Sequence, residues 1–265
     1  MVRIGPAGYD GLGYQGALQK VARMKLDCLE VAFTYGVRAT VEAAKEIGTL
    51  AKEKGILLSV HAPYYINLAS DEKEKAHASI QRIVDACERA AAMEAKKVVF
   101  HAGFYQNRSA EETYHRIEQS VQKIQNLIRH KKWKVELCPE ITGKSSQFGS
   151  LAELLRLRKE TGCGITVDFA HLHARCQGQM DYPELFKKLP KWFHAHFSGI
   201  QYGDKGEKKH VCTTRKSFEP LAKELMRRKL NVTLINESPR PYEDAAMMKR
   251  MLLRFQGIRN KQSAR

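Results

Sequence analysis

Two hydrophobic periods alternate along the chain. Short runs rich in β-branched and other apolar residues at 2–7, 28–33, 57–61, 97–101, 134–140, 164–168, 192–198 and 232–237 read as strands. Each gives way to a longer amphipathic stretch, as at 41–54, 72–93, 110–130, 151–161 and 242–255, which predicts helices. In the last stretch Ala245, Met248, Leu252 and Phe255 recur at helical spacing and are expected to face a barrel wall. About eight β-then-α units, with no Pro/Gly/Ser-rich linker, internal repeat or low-complexity tract, predict an α/β protein with one (β/α)8 TIM barrel. The barrel is expected over residues 1–258, followed by a basic tail, 259–265, that frays. A doubly wound open sheet fits less well, because Gly8, Gly11, Gly13 and Gly16 lack the G-x-G-x-x-G spacing of a phosphate loop.

Charge adds a direction. Lys+Arg 45 against Asp+Glu 29 gives a formal net charge of +16, which suits a polyanionic partner whose condensed counterions are released on binding. The basic residues are spread over 129–134, 187–191, 205–209, 227–229 and 254–265. Any one cluster reads as a solvated helix end, whereas the total favours nucleic acid. No run of about 18 apolar residues appears, and the start lacks a charged-then-apolar leader. A cytoplasmic, nucleoid-associated protein without membrane contact is therefore expected. The six cysteines form no C-x-x-C and are expected to be reduced and mostly buried.

Barrel enzymes place their chemistry at the C-terminal ends of the strands. Those ends carry His61, His101, Glu140, Asp168 with His171 just beyond, and Glu237, while the seventh strand carries His194 and His196. Glu207 and His210 fall in the long loop expected after that strand. A lone histidine at a strand end is usually a structural group, but so many imidazoles and carboxylates converging on one rim need a compensating cation. The mixture suits zinc, manganese or iron.

These residues also resemble a known family. His61-Ala62-Pro63-Tyr64-Tyr65-Ile66-Asn67-Leu68, Val99-Phe100-His101-Ala102-Gly103, Pro139-Glu140-Ile141-Thr142-Gly143, Val167-Asp168-Phe169-Ala170-His171, His194-Ala195-His196-Phe197-Ser198-Gly199 and Asn236-Glu237-Ser238-Pro239 are similar, in order, to the motifs of endonuclease IV. The match runs from about residue 57 to the end of the barrel. It implies a xylose-isomerase-like barrel with a three-metal site, zinc being the expected ion and manganese or iron alternatives. In that family the carboxylate matching Glu140 bridges two ions. One is also held by residues matching His61 and His101, the other by those matching Asp168, His196 and Glu237. A third ion takes the histidine matching His171 and two ligands from the loop after strand seven. There this sequence departs from the family's Asp-x-His. Gly206-Glu207-Lys208-Lys209-His210 offers Glu-x-x-His, with Asp204 as a spare carboxylate.

The resemblance implies hydrolysis of double-stranded DNA 5′ to an abasic site, leaving a 3′-hydroxyl and a 5′-deoxyribose phosphate, with trimming of blocked 3′ ends as a further activity. Glu140 is the residue expected to orient the nucleophile. Tyr64 matches a residue that contacts DNA at the lesion, and a core tyrosine is the plainer reading. Arg38 is the phosphate candidate in the loop after strand two, which corresponds to a DNA-penetrating loop of the family. Asn67 reads as structural, His77, His115 and His130 as surface residues of helices, and His194 as a support behind His196. A single barrel on one flexed duplex can act as a monomer. The alternative is a sugar isomerase or epimerase holding one divalent ion on Glu140, Asp168, His196 and Glu237. In such an enzyme His61, His101, His171 and the +16 charge have no evident use. A non-enzymatic DNA-binding module would not need the complete inner ligand set.

Overall fold

The computed structural model describes residues 1–228 and 230–263, with side chains through residue 256. The eight apolar runs become parallel strands: β1 (Val2–Pro6), β2 (Cys28–Ala32), β3 (Leu57–His61), β4 (Lys97–Phe100), β5 (Glu136–Pro139), β6 (Thr166–Asp168), β7 (Trp192–Phe197) and β10 (Asn231–Asn236). They pair as two four-stranded arcs, β1-β10-β7-β6 and β2-β3-β4-β5. Two seams close the arcs into a ring. At one, Asp27 N donates to Ile4 O (2.8 Å) and Gly8 N to Glu30 O (2.9 Å). At the other, Gly164 N donates to Leu137 O (2.8 Å) and Ile141 N to Thr166 O (3.1 Å). Gly5 makes the first seam possible, since a Cβ there would lie 1.8 Å from the Cys28 carbonyl oxygen. The (β/α)8 barrel read from the periodicity is therefore the fold.

The helices on its outside are α1 (Gly13–Arg23), α2 (Val41–Glu53), α3 (Lys73–Ala92), α4 (Ala110–His130), α5 (Leu151–Thr161), α6 (Phe169–Arg175), α7 (Tyr182–Lys188), α8 (Arg215–Arg227) and α9 (Pro241–Ser263). Local chemistry starts and stops them. Ser109 with Glu112, and Ser150 with Glu153, form reciprocal capping boxes, each contributing about 1 kcal/mol. Gly162 ends α5 in the left-handed conformation (φ 74°) that lacks a penalty only without a Cβ. Ala245, Met248 and Leu252 of α9 are buried against the barrel, with Phe255 packed at the edge of the core. Among the described residues, no helix is long and apolar enough to cross a membrane.

Two expectations change. The segment after β7 is a two-stranded antiparallel hairpin, β8 (Gly199–Gly203) and β9 (Gly206–Val211), rather than a loop. Its residues are mostly polar on both faces, so no alternation marked it as strand. The helical stretch after β6 is divided into α6 and α7, each too short to show a clear 3.6-residue period. Helix α9 is described through Ser263, and residues 264 and 265 of the expected tail lie outside those described. Cys28, Cys87, Cys138 and Cys163 are buried and Cys176 and Cys212 exposed, all free.

Candidate metal centre

His61 and Asp168 are the last residues of β3 and β6, while His101, Glu140 and Glu237 lie one residue beyond β4, β5 and β10. The strands thus deliver one side chain each to a common point above the barrel. Glu140, 1% exposed, is the hub. Its Oε2 lies 3.0 Å from His61 Nε2 and 3.1 Å from His101 Nε2. Its Oε1 lies 3.1 Å from His196 Nδ1 and 3.3 Å from His171 Nδ1. Glu237 Oε1 is 3.3 Å and Asp168 Oδ2 3.9 Å from the same His196 nitrogen. One carboxylate therefore faces two ligand groups, one through each oxygen.

A third group lies beside the second. His171 Nε2 faces His210 Nε2 at 3.1 Å and Glu207 Oε2 at 3.3 Å. The opposite ring nitrogens are already committed, since His171 Nδ1 lies 2.9 Å from the Ile141 carbonyl and His210 Nδ1 3.1 Å from the Glu237 carbonyl. With both rings donating to those carbonyls, the two Nε2 atoms face each other and need a proton or a metal ion between them. The hairpin brings Glu207 here: Glu207 N donates to Gly143 O (3.0 Å), and a Cβ on Gly143 would lie 2.6 Å from the Glu207 Cβ. Arg175 holds the loop below by donating to the carbonyls of Thr142, Lys144 and Gln147. Asp204 is exposed at the hairpin turn, away from this cluster.

The electrostatics call for positive charge. Four carboxylates (Glu140, Asp168, Glu207, Glu237) share the site, and none pairs with a lysine or arginine among the described residues. Asp168 Oδ2 is buried with no hydrogen-bond partner. Burial, with Glu140 and Glu237 beside it, pushes the Asp168 carboxyl up. Burial also acts against ionisation of Glu140, but His101 and His196 outweigh it and hold that carboxyl well below its ordinary range. Burial opposes a charge on His61, yet Glu140 raises its pKa to about 9. In Glu207 burial is likewise outweighed, here by His171, and the carboxyl falls to about 2. Among the described residues, four groups of side chains have ligand atoms close enough to share an ion: His61, His101 and Glu140; Glu140, Asp168, His196 and Glu237; Asp168, His171 and His210; and, deeper in the barrel, Glu30, His194 and His196. An orphaned carboxylate oxygen and imidazoles converging on clustered carboxylates fit divalent cations.

One central residue carried no motif. Glu30, on β2, is fully buried inside the barrel. Its Oε2 accepts from Ser59 Oγ (2.7 Å) and sits 2.8 Å from His194 Nε2, and its Oε1 is 2.8 Å from His196 Nε2. It lies behind the His196 ring, on the side opposite the Nδ1 that faces Glu140, as a carboxylate behind a metal-ligating histidine does. The only sequence signal was an acid in the middle of an apolar strand, Cys28-Leu29-Glu30-Val31-Ala32. His194, expected behind His196, shares this carboxylate with it. His77, His115 and His130 are exposed on α3 and α4.

The remaining candidates sit around the mouth. Tyr64 is 56% exposed, not a core residue, with its ring edge-on to His61 at 6.0 Å. Burial of its hydroxyl side, with Glu237 and Glu140 nearby, raises its pKa to about 12. A cavity of about 220 Å³ opens among Tyr64, His61, His210, Glu237 and Gly8. Arg38 is exposed in the loop after β2, with no carboxylate partner among the described residues. Asn67 ties loops together, its Oδ1 accepting from Ala69 N (3.2 Å) and Phe104 N (3.3 Å). A larger cavity, about 490 Å³, lies among α6, α7 and α8 and shares none of the clustered ligands.

A parallel (β/α)8 barrel with an imidazole–carboxylate cluster on its C-terminal rim defines the class of protein. The chain belongs to the xylose isomerase-like TIM barrel family, whose pattern matches residues 18–254. It is 34% identical over 246 residues to the uncharacterized protein MJ0133 of Methanocaldococcus jannaschii, covering 88% of this chain and 89% of that one. A probable endonuclease 4 of Aster yellows witches'-broom phytoplasma is 30% identical over 167 residues, 60% of this chain and 52% of that protein. Among solved structures, endonuclease IV from Thermus thermophilus superposes with a TM-score of 0.73 at 20% identity, covering 96% and 99% of the two chains. A D-tagatose 3-epimerase-like protein does so at 0.74 and 20%, covering 98% and 99%. The fold is thus shared by DNA endonucleases and sugar epimerases.

Proposed function

We propose that this chain is a metal-dependent phosphodiester hydrolase of the endonuclease IV type, cutting DNA 5′ to an abasic site. The observation that carries the reading is the His171–His210–Glu207 cluster beside a complete inner set. A sugar epimerase needs one divalent ion, and that cluster would be superfluous to it. The formal net charge of +16 also supports a polyanionic substrate.

On this reading His61, His101 and Glu140 hold one ion. Glu140, Asp168, His196 and Glu237 hold a second, and His171, His210 and Glu207 a third, with zinc first and manganese or iron as alternatives. Such ions lower the pKa of water and neutralise charge on a phosphodiester. The protein's own part is placement. Glu140 fixes the two inner groups relative to each other and orients the attacking water. That water's oxygen bonds to phosphorus as the bond to the 3′ oxygen breaks. The departing oxygen takes up a proton, leaving a 3′-hydroxyl and a 5′-deoxyribose phosphate. Glu207 and His210, with His171, would hold a cation able to offset the negative charge that develops on that oxygen. Tyr64, at the mouth, offers a ring face to the nucleotide beside the lesion, and Arg38 a charge to the backbone.

The Glu140–Asp168–His196–Glu237 group by itself would also serve the epimerase reading, in which a single ion polarises a sugar carbonyl. One experiment separates the two. A labelled duplex carrying one tetrahydrofuran abasic analogue is incubated with metal-loaded protein, beside an intact duplex and a chelator-treated sample. A single chelator-sensitive cut leaving a 3′-hydroxyl is expected. An uncut duplex in the presence of protein with two or three bound ions would remove the abasic-site assignment.

A further inference from the structure

Among the described residues, the tyrosines and phenylalanines exposed by two-fifths or more are Tyr9 (42%), Tyr35 (73%), Tyr64 (56%), Tyr65 (65%) and Phe104 (40%). All five lie in the loops that follow β1, β2, β3 and β4, on the rim that carries the metal ligands. The chain's other tyrosines and phenylalanines are buried or half-buried. A sixth exposed ring, Trp192 (48%), opens β7 at the opposite end of the barrel, where Lys97 and Arg158 lie over it. Folding alone gives no reason to gather the other five on four successive loops of one face.

These loops are braced against one another. Tyr242 Oη donates to Gly8 O (2.9 Å) before Tyr9, and Tyr9 packs edge-on to Tyr14 at 5.2 Å. Tyr64 N donates to Thr34 O (3.2 Å), joining the loops after β3 and β2, and Phe104 N reaches Asn67 Oδ1. Gly103 (φ 147°) lets that last contact form, because a Cβ would come within 2.4 Å of Asn67 Oδ1. The rings are therefore presented on a fixed surface.

The other side of the rim is cationic. Lys205, Lys208 and Lys209 of the β8–β9 hairpin are exposed, as is Lys144 beside them, and none has a carboxylate partner among the described residues. Glu207 of the same hairpin turns inward to His171. The Glu140 hub lies between the aromatic and the cationic sides.

We propose that the loops after β1 to β4 form a stacking platform for unpaired DNA bases while the hairpin lysines hold the backbone, so that the strand presented to the metal centre has unpaired bases flanking the scissile phosphate. This rests on the nuclease reading and specifies its substrate. An intact duplex hides its base faces and leaves such a platform without a partner. A monosaccharide could cover one or two rings over a pocket but not rings on four loops. Bases with free faces, on a charged backbone, match both halves of the surface.

The test is equilibrium binding of the metal-loaded protein at one fixed salt concentration. Two labelled DNA probes have equal length and charge: a fully paired duplex, and the same duplex with a short central stretch of unpaired bases. The unpaired probe is expected to bind about tenfold tighter or more, each stacked base contributing on the order of five- to a hundredfold. Tyr35→Ala, Tyr65→Ala and Phe104→Ala, singly and together, are expected to erode that preference while leaving paired binding within about twofold. Tyr35→Phe and Tyr65→Phe, which keep the ring, are expected to retain it. Equal affinity for both probes, or a preference that survives the alanine variants, overturns the proposal. Cleavage of the abasic duplex without any preference for unpaired bases sinks the platform and leaves the nuclease reading intact. A preference without cleavage of any probe does the reverse, and no binding to either probe ends both.

Discussion

The two halves of the barrel rim are built from different side chains. Strands β1 to β4 and the loops after them supply only His61 and His101 to the rim clusters, and the loops otherwise present exposed rings. From β5 onward the chain supplies the rim carboxylates Glu140, Asp168, Glu207 and Glu237, with His171, His196 and His210 and a lysine-bearing hairpin, while Glu30 of β2 lies beneath His196. The difference separates tasks with opposite physical needs. Holding cations requires buried negative charge on rigid strand ends, whereas gripping a flexible polymer requires exposed faces on loops. Glu140 is the point of contact, since its two oxygens face histidines from both halves.

The comparison is broken most severely at that contact. Glu140→Gln removes the charge shared by two clusters and is expected to lower cleavage by about a thousandfold or more. Metal analysis is expected to find fewer bound ions, while DNA binding measured by anisotropy stays near wild type. Unimpaired turnover would take Glu140 out of the bridging role.

Glu30→Gln reaches the same centre from beneath. It keeps the shape but weakens the hold on His196, and is expected to lower metal affinity by about 10- to 100-fold, as loss of a supporting carboxylate does. Competition with a chromogenic chelator reads this directly, and an unchanged affinity would reduce Glu30 to a packing role. His210→Ala tests the hairpin's share. Loss of one bound ion is expected with the inner ones kept, at a cost on the order of tenfold in cleavage. If the ion count and the rate both stay, His210 holds nothing.

A gentler probe is pH acting on the metal-free protein. The His61 pKa is raised from 6.5 to about 9, so the stability it contributes is fully present below pH 6.5 and lost as pH rises through about 9. The loss is about 3 kcal/mol for this group, readable as a fall in urea midpoint over that window. Bound metal is expected to abolish the fall, because it replaces the proton between His61 and Glu140. Smallest of all, Tyr65→Ala is expected to leave metal content unchanged and to weaken binding of a DNA with unpaired bases about tenfold. A change in metal content there would mean that the two halves are not separable.

The fold was legible because barrel units repeat a local signal. Each strand is a short apolar run and each long helix an amphipathic one, and the seams add no new pattern. The candidate ligands were legible for a related reason: a strand's end is fixed by where its apolar run stops, so His61, His101, Glu140, Asp168 and Glu237 could be placed on one rim residue by residue. Elements without a periodic signal were not legible. The hairpin after β7 is polar on both faces, and α6 is only seven residues long. Tyr64 was ambiguous because a ring in a loop carries no mark of exposure.

The sequence by itself therefore determined the barrel and the histidines and carboxylates at the strand ends of its rim, which follow from periodicity and position along a strand. Tertiary structure alone decided that Glu30 lies under His196, far along the chain, that Glu207 closes on His171 through the hairpin, and that five exposed rings share four loops. Those depend on which strands become neighbours when the ring closes and which backbones approach closely, as at Gly5 and Gly143, and distance through space leaves no imprint on local spacing.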